Sequence, residues 1–172
     1  MLVMELHELL VELFDRIDEH VHEAVDGLDA DALMTTLAEG TNPIGWLVWH
    51  LTRVQDDHIA DILHQEQVWV SDDWASRFGV APDPANHGFG HSWDEVMSIR
   101  PESADALIEY YEAVAARTRE LLGRTTPDDL DRIVDESWNP PVTMGVRLVS
   151  IADDDIQHAG QASYVRGILD RR

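Results

Sequence analysis

An aspartate and a histidine stand four residues apart in Ile151-Ala-Asp-Asp154-Asp-Ile-Gln-His158-Ala-Gly-Gln161. On a helix that spacing puts Asp154 and His158 on one face, one turn apart, so both can reach a single point. Far upstream, His50 lies in another strongly apolar stretch, Asn42-Pro-Ile-Gly-Trp46-Leu-Val-Trp49-His50-Leu-Thr-Arg53. If His50 faces the same point, the chain carries a two-histidine, one-carboxylate metal site. Such a set suits Zn, Ni, Fe(II) or Mn. Three protein ligands leave positions open for water or substrate, which is the arrangement of a catalytic rather than a structural site. A cation held there lowers the pKa of a water or thiol that it meets.

These polar groups interrupt apolar stripes. Asp154 and His158 fall on one side of a helix with Ile151, Ala162 and Val165, and Gln161 lies beside them. A buried carboxylate and imidazole cost several kcal/mol unless they are paired or metallated. Asp57 and Asp61 share the azimuth of His50, and Asp57 is the reserve carboxylate if Asp154 faces solvent. The bland readings are a hydrogen-bonded core histidine at position 50 and a solvated acidic run at Asp153-Asp154-Asp155, because D-x-x-x-H alone is a weak pattern. His20 and His22, two residues apart, point to different helix faces. His58 reads as core; His7, His64, His87 and His91 read as surface or loop. Arg53 and Arg166 read as surface ion pairs, or as groups that orient a substrate carboxylate.

Four long amphipathic segments must position these residues. Leu6, Leu10, Leu13, Ile17, Val21 and Ala24 recur at three- and four-residue steps over residues 5 to about 25, and Gly27 ends the helix that they imply. Thr41 or Asn42 is the expected cap of a second helix, with Pro43 in its first turn and Ile44, Leu47, Leu51, Val54, His58 and Ile62 inward. Ser103 is the expected cap of a third helix running to about Leu122, with Leu107, Tyr111, Val114, Thr118 and Leu121 inward. A fourth helix is expected over about Arg147 to Leu169. No strand pattern competes over a comparable length. The fold class expected is all-α, a four-helix bundle with one long crossover between helices two and three, as a single domain over residues 1–172. That crossover, residues 67 to 102, holds Trp69, Trp74, Phe78, Phe89 and Trp93. It has too many aromatics for a solvated linker and is expected to pack as an ordered cover, with a short helix at Trp93 to Ile99.

Composition narrows the function. The formal net charge of −22, with arginine supplying all 12 basic residues, argues against nucleic-acid binding and against docking on anionic membranes. The chain has no cysteine, so disulfides, thiolate metal sites and a protein-borne thiol nucleophile are excluded. Apolar stretches fall short of the ~20 residues that a membrane span needs. The acidic run from Met1 lacks the basic start of a secretory signal, so a cytoplasmic location is expected.

The run Asn42-Pro-Ile-Gly-Trp-Leu-Val-Trp-His50-Leu-Thr-Arg-Val-Gln-Asp-Asp-His58 resembles the metal-bearing second helix of the DinB-like (YfiT-like) superfamily. Gln157-His158-Ala-Gly-Gln161-Ala-Ser-Tyr-Val-Arg166-Gly167 resembles its last helix. The likeness extends over nearly the whole chain and is greatest to the branch of mycothiol-dependent maleylpyruvate isomerase and presumed mycothiol S-transferases. It implies a four-helix bundle, often dimeric, with a divalent metal held by His50, Asp154 and His158. Many members carry histidine where this chain has Asp154, while the isomerase-like branch carries a carboxylate. The sequence through Arg172 shows no counterpart of the isomerase's second domain, so maleylpyruvate is not the expected substrate.

The expected activity is metal-dependent S-transfer from a small-molecule thiol, mycothiol, to a small electrophile. The rival readings are a metal-dependent hydrolase using bound hydroxide and a non-catalytic stress-response binding or dimerisation module. A homodimer is expected, built on an apolar patch because two strongly acidic copies repel one another. Its association should tighten as salt rises from low to moderate strength and screens that repulsion. Sedimentation across a salt series checks this; a dimer that dissociates on adding salt is held by ion pairs instead.

Overall fold

The computed structural model describes residues 3–171. Met1, Leu2 and Arg172 lie outside the described residues, so the start of the N-terminal run is not seen. In chain order the described helices are α1 (Leu6–Val25), α2 (Ala30–Leu33), α3 (Ile44–Leu63), α4 (Val68–Ser71), α5 (Trp93–Ser98), α6 (Ala104–Leu122) and α7 (Met144–Leu169). The four long ones, α1, α3, α6 and α7, form the expected bundle. α3 packs on α7 and α6, and α1 packs on the same two, which places α1 and α3 at opposite corners. Inward residues of α6 include Leu107, Tyr111, Val114, Thr118 and Leu121, all buried as their spacing predicts. Among the described residues no helix is long and apolar enough to cross a membrane.

The caps account for most of the differences in helix ends. Ser103 holds the start of α6, its hydroxyl accepting from the Ala106 N–H at 3.1 Å. At α3 the N-cap is Pro43, not Thr41 or Asn42. Thr41 instead closes the preceding turn, accepting from the Leu37 and Ala38 N–H groups at 3.1 Å. α7 starts at Met144, earlier than Arg147, because Thr143 caps it and accepts from the Val146 N–H at 3.4 Å. Just before it, β1 (Ile133–Asp135) and β2 (Val142–Thr143) form a short antiparallel hairpin in the register Ile133↔Thr143 and Asp135↔Val142. Pro140 and Pro141 lie in the loop that joins the two strands.

The crossover is ordered, as its aromatics require. Trp69 is fully buried, its ring 6.0 Å from Trp49, 5.4 Å from Phe78 and 5.2 Å from Tyr110. Trp74 is half-buried against Tyr110. Burying a side chain of this size stabilises by roughly 1.5–3 kcal/mol, enough to offset much of the ordering entropy of its neighbours. Phe89, 86% exposed, and Trp93, 36% exposed, take little part in this packing.

Polar contacts complete the attachment. Arg53, read from sequence as a surface residue, is fully buried. Its Nε donates to the Asn86 carbonyl at 3.0 Å, and its Nη2 to the Pro84 carbonyl at 2.9 Å and Gln67 Oε1 at 2.7 Å. Its Nη1 reaches Asp56 Oδ2 at 3.3 Å and the Tyr110 hydroxyl at 3.2 Å. Asp56 in turn accepts from the Val68 and Trp69 N–H groups at 2.9 and 2.8 Å. Removing one member of a buried pair leaves the other charge uncompensated, which costs about 3–5 kcal/mol. Arg53→Ala is therefore expected to lose stability of that order in urea unfolding, and amide exchange over residues 84–88 should accelerate more than exchange within α1.

Candidate metal centre

His50 is held from both sides. It projects from the middle of α3, is 5% exposed, and its ring stacks on Trp46 with centroids 4.7 Å apart. Its Nδ1 donates to the backbone carbonyl of His87 in the crossover. The next residue, Gly88, has φ +95° and lies flat on this surface. A Cβ there would come 2.7 Å from His50 Nδ1 and 3.0 Å from Trp49, so only glycine permits the approach. With Nδ1 engaged, Nε2 carries the lone pair and faces α7.

His158 repeats the arrangement from the opposite helix. Its Nδ1 lies 2.9 Å from Gln161 Oε1, one turn on, which leaves Nε2 on the side of Asp154 at 3.7 Å from Oδ1. The other Asp154 oxygen, Oδ2, is 4.0 Å from His50 Nε2. The two imidazoles meet edge to face, with centroids 4.7 Å apart. One ligand atom from each of His50, Asp154 and His158 lies within 4.8 Å of the others. The structure thus brings together the three residues that the sequence singles out.

Burial sets the charge state of this group. It lowers the His50 pKa from 6.5 to about 4, chiefly by desolvation, with the His87 carbonyl opposing and His158 adding to the shift. His50 is therefore neutral across the physiological range. Burial pushes the Asp154 carboxyl up, against the pull of His158. Its Oδ2 is buried with no hydrogen-bond donor in reach. An orphaned carboxylate oxygen beside two imidazole lone pairs is a donor set short of a positive charge, and a divalent cation fits it.

Other readings need correction. Asp57 is not drawn into the group: it accepts from Gln67 Nε2 at 2.7 Å and lies 3.7 Å from His58. Asp61 is exposed. The acidic run on α7 is not uniformly solvated, since Asp153 is exposed, Asp154 half-buried and Asp155 fully buried. Burial and the neighbouring Asp154 both push the Asp155 carboxyl up. Arg166 fastens α7 to the end of α1, donating to the Asp26 carbonyl at 2.6 Å and pairing with Asp170 at 2.8 Å. His87 and His91 are more than loop residues. His91 stacks on Trp49 at 5.8 Å and accepts from Trp46 Nε1 at 3.3 Å. The glycines at 88 and 90 between them were the available signal, since glycine is the residue that permits a close backbone approach.

A cavity of about 430 Å³ opens beside the group, with His50 and Asp154 in its wall together with His58, Phe89, Trp138 and Arg147. Burial and the Arg147 guanidinium both lower the His58 pKa, against the pull of Asp57 and Asp61. Among the described residues a second grouping, Asp18, His22 and Glu112, sits between α1 and α6. There His22 Nε2 lies 2.9 Å from Glu112 and Arg119 pairs with Asp18 Oδ2 at 3.3 Å, while Asp18 Oδ1 is buried without a hydrogen-bond partner.

Known proteins place this architecture. A conserved protein from Enterococcus faecalis has a crystal structure similar to this one, with a TM-score of 0.88 and 29% identity, over 99% of this chain and 100% of that chain. A DinB-like protein from Bacillus cereus ATCC 10987 has the same fold at a TM-score of 0.61 and 19% identity, over 95% of this chain and 92% of that chain. A comparison with curated proteins finds no match. The mycothiol-S-transferase family model matches residues 9–171. The chain belongs to the mycothiol-S-transferase family.

Proposed function

We propose that this protein is a metal-dependent transferase that joins the sulfur of a small thiol, mycothiol, to a small electrophile. His50, Asp154 and His158 are its metal ligands. The observation that carries the reading is the orientation of the two histidines. Each has its Nδ1 against an acceptor, the His87 carbonyl or Gln161 Oε1, and each turns Nε2 toward the Asp154 carboxylate, His50 to the orphaned Oδ2 and His158 to Oδ1. Outer acceptors of this kind fix the tautomer and aim of metal-binding imidazoles.

A bound divalent cation supplies Lewis acidity, which lowers a thiol's pKa toward neutrality. The chain's own groups do the rest. His50 stays neutral and keeps its lone pair available even in mildly acidic solution. Trp46 and Trp49 wall off the inner side of the imidazole from water. The cavity gives access from the other side. Because the chain has no cysteine, the sulfur comes from the substrate.

Protein prepared without a histidine tag should bind about one zinc, nickel, iron or manganese ion per chain. Asp154→Ala should abolish that binding, measured by calorimetry and elemental analysis. Gln161→Leu, which alters an exposed side chain and only the outer partner of His158, should weaken it roughly 10–100-fold. A chelator should remove thiol conjugation. Turnover of an ester or amide without thiol would make the protein a hydrolase instead, and unchanged metal content in Asp154→Ala would remove the site.

The pH dependence of the apoprotein is a separate check. The folded pKa of His50 is depressed to about 4, so the unfolded chain takes up a proton near pH 6.5 and the folded chain does not. Stability present above pH 6.5 is lost as pH falls toward 4, on the order of 3 kcal/mol for a shift of this size. The raised pKa of Asp154 acts in the opposite sense. The comparison is therefore wild type against His50→Gln, whose urea-unfolding midpoint should fall less steeply across that window.

A further inference from the structure

Two of the most exposed aromatic side chains of the protein stand at one opening. Phe89 is 86% exposed and Trp138 is 66% exposed, and both border the cavity whose wall contains His50 and Asp154. They come from unrelated parts of the chain. Phe89 sits between Gly88 and Gly90 in the crossover, and Trp138 lies in the loop between β1 and β2. Large apolar rings left in water beside a cavity have a reason to be there when a ligand covers them.

The charges around the opening restrict that ligand. The cation nearest to it, Arg147, is 13% exposed and pairs with Asp135 at 2.7 Å, so it is already neutralised. Asp57 contributes a carboxylate to the same cavity. The chain as a whole carries −22. Nothing here seats an anion, whereas hydroxyl groups find an acceptor in Asp57 and their C–H faces find flat apolar surfaces in Phe89 and Trp138.

Position along the cavity identifies which reactant this is. Resting on the transfer reading above, the sulfur and the electrophilic carbon must both lie at the His50–Asp154–His158 end. Only the part of a long co-substrate farthest from its sulfur extends to the opening. We infer that Phe89 and Trp138 form a clamp for the uncharged, polyhydroxylated tail of the thiol, the glucosaminyl-inositol part of mycothiol. The clamp selects this thiol over thiols with anionic tails. The two residues bind and position; they take no part in bond making.

The test is calorimetric, on zinc-loaded protein, with mycothiol, N-acetylcysteine and glutathione as probes. The wild type should bind mycothiol at least tenfold more tightly than N-acetylcysteine, which has the sulfur but no sugar, and should bind glutathione weakest. Trp138→Ala and Phe89→Ala should each weaken mycothiol roughly tenfold, the scale of one lost aromatic contact, and leave N-acetylcysteine unchanged. Trp138→Tyr should restore most of the loss. Wild-type protein that binds mycothiol and N-acetylcysteine equally overturns the clamp while leaving the thiol chemistry intact. Alanine variants that bind mycothiol normally but raise KM for the electrophile overturn it too, by assigning the rings to the other reactant. Wild-type protein that binds no thiol overturns both readings.

Discussion

The buried pair of Arg53 and Asp56 is the interaction on which the candidate centre depends. Each is almost fully out of solvent, and neither contacts the centre. Arg53 takes the carbonyls of Pro84 and Asn86, and Asp56 takes the N–H groups of Val68 and Trp69. One residue thus grips the early part of the crossover and the other its return, from neighbouring turns of α3. A buried ion pair is poor value as a source of stability, but it demands particular partners in particular places. What it specifies here is the path of the backbone through Asn86, His87 and Gly88. That path presses the His87 carbonyl onto His50 and holds Gly88 against Trp46 and Trp49.

The centre shows how a strongly acidic protein keeps a usable set of donors. Its two histidines differ in placement, His50 stacked on Trp46 and His158 nearer the surface of α7, and burial keeps His50 neutral. The surrounding carboxylates have other occupations. Asp57 is tied to Gln67, Asp135 to Arg147, and Asp155 is buried, its carboxyl pushed up by burial and by Asp154. Asp154 turns its carboxylate to both imidazoles, Oδ1 to His158 and the buried, unpartnered Oδ2 to His50.

Much of this was legible in the residue order. The three-and-four periodicity of the long segments marks the bundle, and the step from Asp154 to His158 marks a shared helix face. His50 stood out because it lies on the apolar stripe between Leu47 and Val54, with Trp46 one turn earlier and Trp49 beside it. The partners that aim it were hidden, because they are backbone groups, and a carbonyl at position 87 has no sequence signature. Arg53 and Asp56 were hidden for a related reason. A charged residue on an apolar helix reads as a surface group unless the distant segment that satisfies it is known. Helix starts slipped where a hydroxyl made a turn of its own, as Thr41 does, or where Thr143 both ends a strand and caps α7.

The His87 carbonyl belongs to two systems at once, and this ties their thermodynamics together. It is a link in the crossover, and it is the outer partner of His50. Any ligand that requires Nε2 of His50 to be aimed at Asp154 binds the form in which the crossover lies down, and so shifts local opening of that segment toward the closed state. The coupling is reciprocal: a substitution that loosens residues 84–88 lowers affinity at the centre by the same free energy with which an occupied centre would resist the loosening. Order in an outlying loop and occupancy of an interior site are then one equilibrium observed at two places.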